Sequence, residues 1–194
     1  MIIKIAAVGT VALTIGTGLA QTTQPYAGFQ HRSIKALSDQ QMADLRAGRG
    51  MGLALAAELN GYPGPLHVLD LADALSLSSQ QRVRVRELYD AMKAETIPLG
   101  ETLISQEAAL DRLFADRTAT PTTLADATAA IGRTEGTLRF AHLKYHLAAI
   151  EILSAYQLRR YAELRGYANG DRSTPLHHHS GAGVADSPTP GSSR

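Results

Sequence analysis

The sequence predicts an all-α protein built around two long helices. Of its 194 residues, 44% are hydrophobic but only 5% are aromatic. A surplus of aliphatic over aromatic residues favours helices over a β-sandwich. Apolar residues also recur every three or four positions through two long stretches, which is the period of a helix packed on one side. The length allows one domain of ordinary size.

The composition excludes several functional classes. The chain has no Cys, which rules out a disulfide scaffold, a thiol nucleophile, a Cys-based zinc finger and an iron–sulfur cluster. Its formal net charge of +1 argues against nucleic-acid binding, which needs a basic surface. The sequence has no G-x-S-x-G motif and no acid pair with a recognisable cleft, so we do not expect an enzyme.

Residues 1–20 are predicted to be a cleaved secretory signal peptide. Ile5 to Ala20 is apolar or small, and it is shorter than the about 20 residues of a membrane span. Gly18 and Ala20 form a small-x-small cleavage site before Gln21. The alternatives are an uncleaved membrane anchor and an N-terminal core element. We therefore expect a periplasmic protein that works without ATP.

The next segments are predicted to be a flexible, extended lead-in and a first helix. The lead-in covers residues 21–36, and the helix runs from about Asp39 to Leu59. Ser38 followed by Gln41 is the signature of a capping box, which starts a helix.

Three glycines interrupt the predicted first helix. Gly48, Gly50 and Gly52 each cost a helix roughly 1 kcal/mol. They indicate a close helix crossing or a local break. A phosphate loop is the less favoured alternative, because no strand precedes the glycines and no Gly-Lys-Ser/Thr follows them. No role is assigned to the segment Gly50–Pro65.

Two further helices are predicted before the chain turns. Leu66–Leu75 forms a short amphipathic helix. Ser78 and Gln81 form a second capping box, which opens a long helix to about Asp116. Pro98 lies inside this helix and predicts a bend near residues 94–97.

The second half of the chain predicts another long helix, a short helix and a tail. Thr120-Pro121 starts the long helix. Beside the apolar face expected to pack within the hairpin, this helix has a second apolar stripe, which indicates a partner helix or subunit. The stripe consists of Phe140, Leu143, Leu147 and Ile150. Ser154 and Gln157 form a third capping box for a helix that ends near Gly166. Residues 167–194 are expected to be a disordered tail.

The pattern Leu-Ser-x-x-Gln, found at Leu77–Gln81 and again at Leu153–Gln157, resembles the LTxxQ motif pair of the Spy/CpxP family of periplasmic proteins. Relatives in that family include zinc-resistance-associated proteins and periplasmic heavy-metal sensors. The resemblance covers roughly residues 66–166, and Leu37–Gln41 is a third copy of the pattern.

The resemblance implies a fold and a function. The fold is a long bent helical hairpin with shorter flanking helices, and two copies pair antiparallel into a thin cradle. The function is that of an ATP-independent chaperone or envelope-stress adaptor. Its partners are a second copy, unfolded envelope proteins and, in some members, a sensor kinase or membrane regulator. The motif residues have structural roles in capping and anchoring helices: Leu77, Ser78, Gln81, Leu153, Ser154 and Gln157.

Basic residues beside apolar ones are the candidates for binding an unfolded client. We select Arg82, Arg86, Arg139, Phe140 and Lys144. The alternative for each cationic residue is an ordinary solvated helix face.

A metal site is the alternative function. His142 and His146 share one helix face and are candidate ligands for Zn, Ni, Co or Cu, with Glu135 or His67 as a further donor. A histidine satisfied within the core is the competing explanation. Metal-sensing relatives take further His ligands from the first helix, whereas residues 38–61 here contain no His.

The tail offers a second, weaker metal site at His177, His178 and His179. Binding there would be loose scavenging instead of selective sensing. No cofactor is required by the predicted chaperone function.

Overall fold

The computed structural model describes residues 24–168. The predicted signal peptide and the tail histidines at positions 177–179 lie outside that range. Within it the chain forms six helices: α1 Asp39–Arg46, α2 Leu55–Glu58, α3 Pro65–Asp70, α4 Ser79–Ala115, α5 Pro121–Ile150 and α6 Ala155–Leu164. The described part contains no strand, only an isolated bridge between Ile34 and Leu37. The all-α prediction is confirmed. None of the helices described is long and apolar enough to span a membrane.

Helices α4 and α5 form the predicted hairpin. The short turn at 116–120 returns the chain, so the two helices run antiparallel. Glu95 on α4 marks their register, because it pairs with the Lys144 ammonium at 2.6 Å and accepts a hydrogen bond from the Tyr145 hydroxyl at 3.1 Å. Helix α4 continues without interruption through Pro98.

All three predicted capping boxes are present. In each of them the Ser side chain accepts from the backbone N–H of a Gln, whose side chain accepts from the Ser backbone N–H. A fourth box, not predicted, starts α5 with Thr120 and Thr123. A cap of this kind is worth about 1 kcal/mol.

The predicted helix 39–59 is wrong as a single element, and the break predicted at its glycines is confirmed. Helix α1 ends at Arg46, and Gly48 and Gly52 take positive φ angles of 64° and 84°. Gly48 also lies against α4, where an added Cβ would be 2.8 Å from Oγ1 of Thr96. The glycines therefore provide both a break and a close approach.

Two buried clusters hold the helices together. The first, at the end of the hairpin that carries both motifs, contains Val68, Ala72, Leu75, Leu77, Val85, Ile152, Leu153 and Tyr161. The second, further along the hairpin under α1, contains Ile34, Met42, Leu45, Leu103, Ile104, Ile131 and Leu138. Residues 34–75 thus pack against one face of the hairpin.

The lead-in is more structured than the sequence predicts. Phe29–His31 is a short 3₁₀ helix, and Ile34 is buried in the second cluster. Lys35 reaches Asp111 on α4 at 3.3 Å. One apolar residue among polar neighbours therefore ties this segment to the hairpin.

Gly100→Ala should destabilise the fold where α1 crosses α4. Its new methyl group would lie 2.5 Å from the backbone oxygen of Leu45, and overpacking of this kind costs about 1–3 kcal/mol. Gly132→Ala is the matched control, because it has open space around it and gains up to about 1 kcal/mol of helix propensity. Urea unfolding followed by circular dichroism measures both. Equal stability of Gly100→Ala and wild type would contradict the close crossing.

Candidate functional site

The two motif glutamines meet at the open end of the hairpin. Nε2 of Gln81 donates to Oε1 of Gln157 at 2.8 Å, and Nε2 of Gln157 donates back at 3.0 Å. Gln81 also donates to the backbone oxygen of Ile152 at 2.8 Å, and Gln157 donates to that of Leu75 at 3.3 Å. One amide pair therefore links the starts of α4 and α6 to two turns, while it also completes both capping boxes.

The hydrophobic motif residues support the same junction. Leu77 and Leu153 are both buried in the first cluster. Sequence reasoning assigned structural roles to all six motif residues, and the geometry places them together in such roles. The sequence analysis did not predict that the two glutamines form hydrogen bonds with each other.

A second feature is a cavity of about 300 Å³ between the hairpin and residues 48–52, which we call the glycine-rich segment. We call it the histidine cavity. Its lining includes Met51, Glu58, His67, Tyr89, Met92, His142 and His146. The structure thus brings the predicted pair His142 and His146 together with His67. It does not bring Glu135, which lines a different depression.

His142 is buried beneath the glycine-rich segment. Only 2% of the residue is exposed, and its Nε2 atom has no hydrogen-bond partner. A Cβ added at Gly50 would lie 3.8 Å from its Nδ1 atom, so the segment lies directly on the ring. Burial, helped by the neighbouring His146, lowers the pKa of His142. The ring is therefore neutral at neutral pH, and its lone pair is available.

His146 has a fixed tautomer. Its Nδ1 atom lies 2.7 Å from the backbone oxygen of Tyr62. A carbonyl oxygen only accepts, so Nδ1 carries a proton, and in the neutral ring the lone pair is therefore on Nε2. The same Nδ1 atom is 3.8 Å from Oε2 of Glu58. Metal-binding histidines are commonly oriented by such a hydrogen bond from their other nitrogen.

Glu58 is a buried residue of the histidine cavity that the sequence analysis did not select. Only 6% of it is exposed, and its Oε2 accepts the backbone N–H of Gly64 at 3.0 Å. Its Oε1 accepts the hydroxyls of Tyr161 and, at 3.3 Å, Tyr167, and lies 3.6 Å from Nε of Arg165. The signal in the sequence was that Glu58 is the one carboxylate between Asp44 and Asp70, inside the otherwise apolar stretch 50–59.

Burial together with the Glu58 carboxylate raises the pKa of Tyr161. The phenol therefore stays protonated and remains a donor to Glu58. Tyr167, where the sequence predicted the disordered tail to begin, is half-buried and belongs to the same network.

Residues 24–168 contain no group of three or more His, Cys, Asp or Glu side chains arranged to hold a metal ion. His67 has an unpartnered, buried Nδ1 atom, and burial lowers its pKa. The cavity therefore offers the neutral imidazoles of His67 and His142. It does not offer a complete set of metal ligands made of His, Cys, Asp and Glu alone.

The basic client-binding candidates are dispersed, and two of them are engaged within the fold. Arg82 donates to Asp73 at 2.7 Å and to the backbone oxygen of Leu77 at 3.2 Å. Lys144 pairs with Glu95 on α4, which raises the pKa of Lys144 and lowers that of Glu95. Arg86 lies over the ring of Tyr89, 5.9 Å from its centre.

The other candidates lie on an exposed apolar surface of α5. Phe140 and Leu147 are 62% and 56% exposed, and Leu143 and Ile150 are half-buried. These four residues, which we call the α5 stripe, recur every three or four positions and so share one side of the helix. Tyr145, which contacts α4, points away from that side.

An open groove continues the α5 stripe towards α1. Its volume is about 690 Å³, and we call it the α1–α5 groove. Leucines 37, 45, 53, 103 and 138 form its apolar floor, and Asp44, Glu135 and Arg139 supply charge. Gly136 lines the groove and lies one turn before Phe140. The groove and the stripe are therefore neighbouring surfaces of α5, although none of the four stripe residues lines the groove.

Compared with protein-family models, curated proteins and solved structures, the chain matches none of them.

The buried His142 should make the fold sensitive to acid. The unfolded chain binds a proton on this residue near the ordinary pKa of 6.5, whereas the folded chain holds it neutral. Its stabilising contribution is therefore complete above pH 6.5 and is lost as the pH falls below that value. His142→Leu should flatten the fall in unfolding free energy between about pH 7.5 and about pH 5.5.

Urea unfolding at the two pH values measures this difference, and His31→Leu, at an exposed position, is the matched control. A fall in stability that is as steep in His142→Leu as in wild type would show that another group carries the acid sensitivity.

Proposed function

We propose that this protein is a periplasmic, ATP-independent chaperone or envelope-stress adaptor of the Spy/CpxP type. It binds unfolded segments of envelope proteins on the α5 stripe and the α1–α5 groove. The observation that carries the proposal is the exposure of Phe140 and Leu147 at 62% and 56% on one side of a long helix. Contiguous exposed apolar surface with a polar rim is typical of interaction sites.

The chemistry of this surface suits an extended, partly apolar client. Large side chains on α5 offer apolar contact, and the groove offers room beside them because Gly132 and Gly136 have no side chains there. Arg139 lines the groove next to Phe140 and forms no ion pair within residues 24–168. Its charge supplies attraction for acidic positions of a client.

The paired motifs support the resemblance on which the family assignment rests. In the fold, Gln81 and Gln157 join the two motif helices by reciprocal amide hydrogen bonds. A pair of motifs used as one structural joint is a more specific feature than two independent helix caps. The proposal includes an antiparallel homodimer with a cradle shape, because a hairpin this long has little core for its length.

Aggregation of a client should be suppressed by equimolar protein without ATP. The double variant Phe140→Ser/Leu147→Ser should need roughly tenfold more protein for the same effect, because it removes two apolar anchors. Light scattering by heat-unfolded citrate synthase measures the suppression.

Phe114→Ser is the matched control, since Phe114 is 58% exposed at the other end of the hairpin. Absence of suppression by a several-fold excess of wild-type protein, or equal loss in the control, would overturn the proposed function. Analytical ultracentrifugation tests the dimer separately.

A second candidate function is binding of a transition metal as a sensor or resistance protein. It is favoured by the histidine cavity, where the His142 Nε2 atom is buried without a partner and the His146 tautomer leaves Nε2 free. An orphaned nitrogen in a cavity is unusual, because buried polar atoms are nearly always satisfied.

Calorimetry with Zn²⁺, Ni²⁺, Co²⁺ and Cu²⁺ tests this candidate on the full chain and on a full-length variant with Ala at 177, 178 and 179. Binding that persists in the tail variant and is lost in His142→Leu places the metal in the cavity. No binding by either protein would contradict the candidate.

A further inference from the structure

The histidine cavity contains thioether sulfur as well as imidazole nitrogen. Two of the chain's four Met residues, Met51 and Met92, line it. Met92 is only 7% exposed and Met51 is 42% exposed. The cavity therefore has one buried and one accessible thioether, which is a soft donor that favours monovalent copper.

The helix register places the buried thioether near the imidazole of His146. Helices α4 and α5 are antiparallel, and Glu95 contacts Lys144 and Tyr145. Counting back along α4 and forward along α5 from that contact sets Met92 within about one helical turn of the level of His146. Both residues line the same cavity, so the register and the cavity lining agree.

The carboxylate of the cavity is already engaged. Oε2 of Glu58 accepts from Gly64, and Oε1 accepts from Tyr161 and Tyr167 beside the Arg165 guanidinium. The remaining donors are imidazole and thioether groups, which bring no negative charge. The solvation free energy lost on burying an ion rises with the square of its charge, so a site of neutral ligands favours a singly charged ion over a divalent one.

The glycine-rich segment holds Met51 in an uncommon conformation at the cavity. Its φ angle is +42°, between Gly50 and the positive-φ residue Gly52. A residue other than Gly is rare in this left-handed region. Such backbone strain is typical of sites that present a side chain for a purpose. Here the strained residue is the second thioether of the cavity.

We infer that the histidine cavity binds a cuprous ion through Met92, His142 and His146, with Met51 as the thioether at its mouth. This inference rests on the second candidate function and deepens it by naming the class of metal. Nε2 is the ligand atom of both histidines, since His142 leaves it unpartnered and His146 donates its Nδ1 proton to Tyr62. A low coordination number with soft donors explains how a site exists without three His, Cys, Asp or Glu residues.

Competition with a chromophoric Cu⁺ chelator under anaerobic conditions tests the inference. The protein is the full chain with Ala at 177, 178 and 179, which removes the tail histidines. We expect one Cu⁺ per chain. Met92→Leu and His142→Gln should each weaken binding by at least about tenfold. Met42→Leu is the matched control, because Met42 is an equally buried Met in the second cluster.

X-ray absorption at the copper edge provides a second readout that does not depend on affinity. Sulfur scattering should be present in the tail variant and in Met42→Leu, and it should be absent in Met51→Leu/Met92→Leu. Circular dichroism of each variant establishes that it is folded.

The cuprous site would be overturned if folded Met92→Leu bound Cu⁺ with unchanged affinity. It would also be overturned if the copper absorption spectrum of the tail variant showed no sulfur scattering. Tighter binding of Zn²⁺ or Ni²⁺ than of Cu⁺, lost in His142→Gln but not in Met92→Leu, would overturn it while leaving the second candidate function standing. If the protein binds none of these metals, both the cuprous site and the second candidate function are overturned. None of these outcomes bears on client binding by the α5 stripe.

Discussion

The buried carboxylate of Glu58 is the constraint on which the arrangement of the shorter helices depends. An ionised carboxylate removed from water is costly unless donors surround it. Here the donors come from three places: Gly64 before α3, Tyr161 on α6, and Arg165 and Tyr167 beyond α6. Because all of them must converge on one side chain, α2, α3 and α6 have fixed positions on the hairpin, and His146 lies beside them on α5. Glu58, Gly64 and His146 all line the histidine cavity, which therefore lies beside this convergence.

The glutamine pair is a second set of polar contacts between helices, at the same end of the hairpin as the contacts of Glu58. Gln81 and Gln157 satisfy each other and two backbone oxygens at the end of the hairpin. A side-chain amide has both donors and an acceptor, so a single residue type closes a cap and bridges two helices. These hydrogen bonds thus determine how the starts of α4 and α6 pack against each other at this end of the hairpin. The α5 stripe is different, since Phe140 and Leu147 are apolar side chains that remain more than half exposed.

The candidate site was only partly predictable. The pair His142 and His146 followed from helical spacing alone, because residues four apart share a face. His67 was considered as a further donor, and the fold brings it to the same cavity, whereas Glu135 lies elsewhere. Glu58 and Met92 were missed: the only local mark of Glu58 is that it is the one carboxylate between Asp44 and Asp70, and Met92 has the spacing of an ordinary core residue. Their meaning depends on what lies across from them, which periodicity does not encode.

The sequence by itself determined the helical class, the positions of the capping boxes and the two long helices, because these depend on local hydrogen bonding and on apolar periodicity. It also located the glycine-rich break, though not whether the helix would end there. Only the tertiary structure decided that Gly48 approaches α4, that Ile34 anchors the lead-in and that two motifs share one amide pair. Those features arise between residues far apart in the chain, where the outcome depends on the relative placement of helices. The physical reason is that burial selects partners in space, while propensity acts only along the sequence.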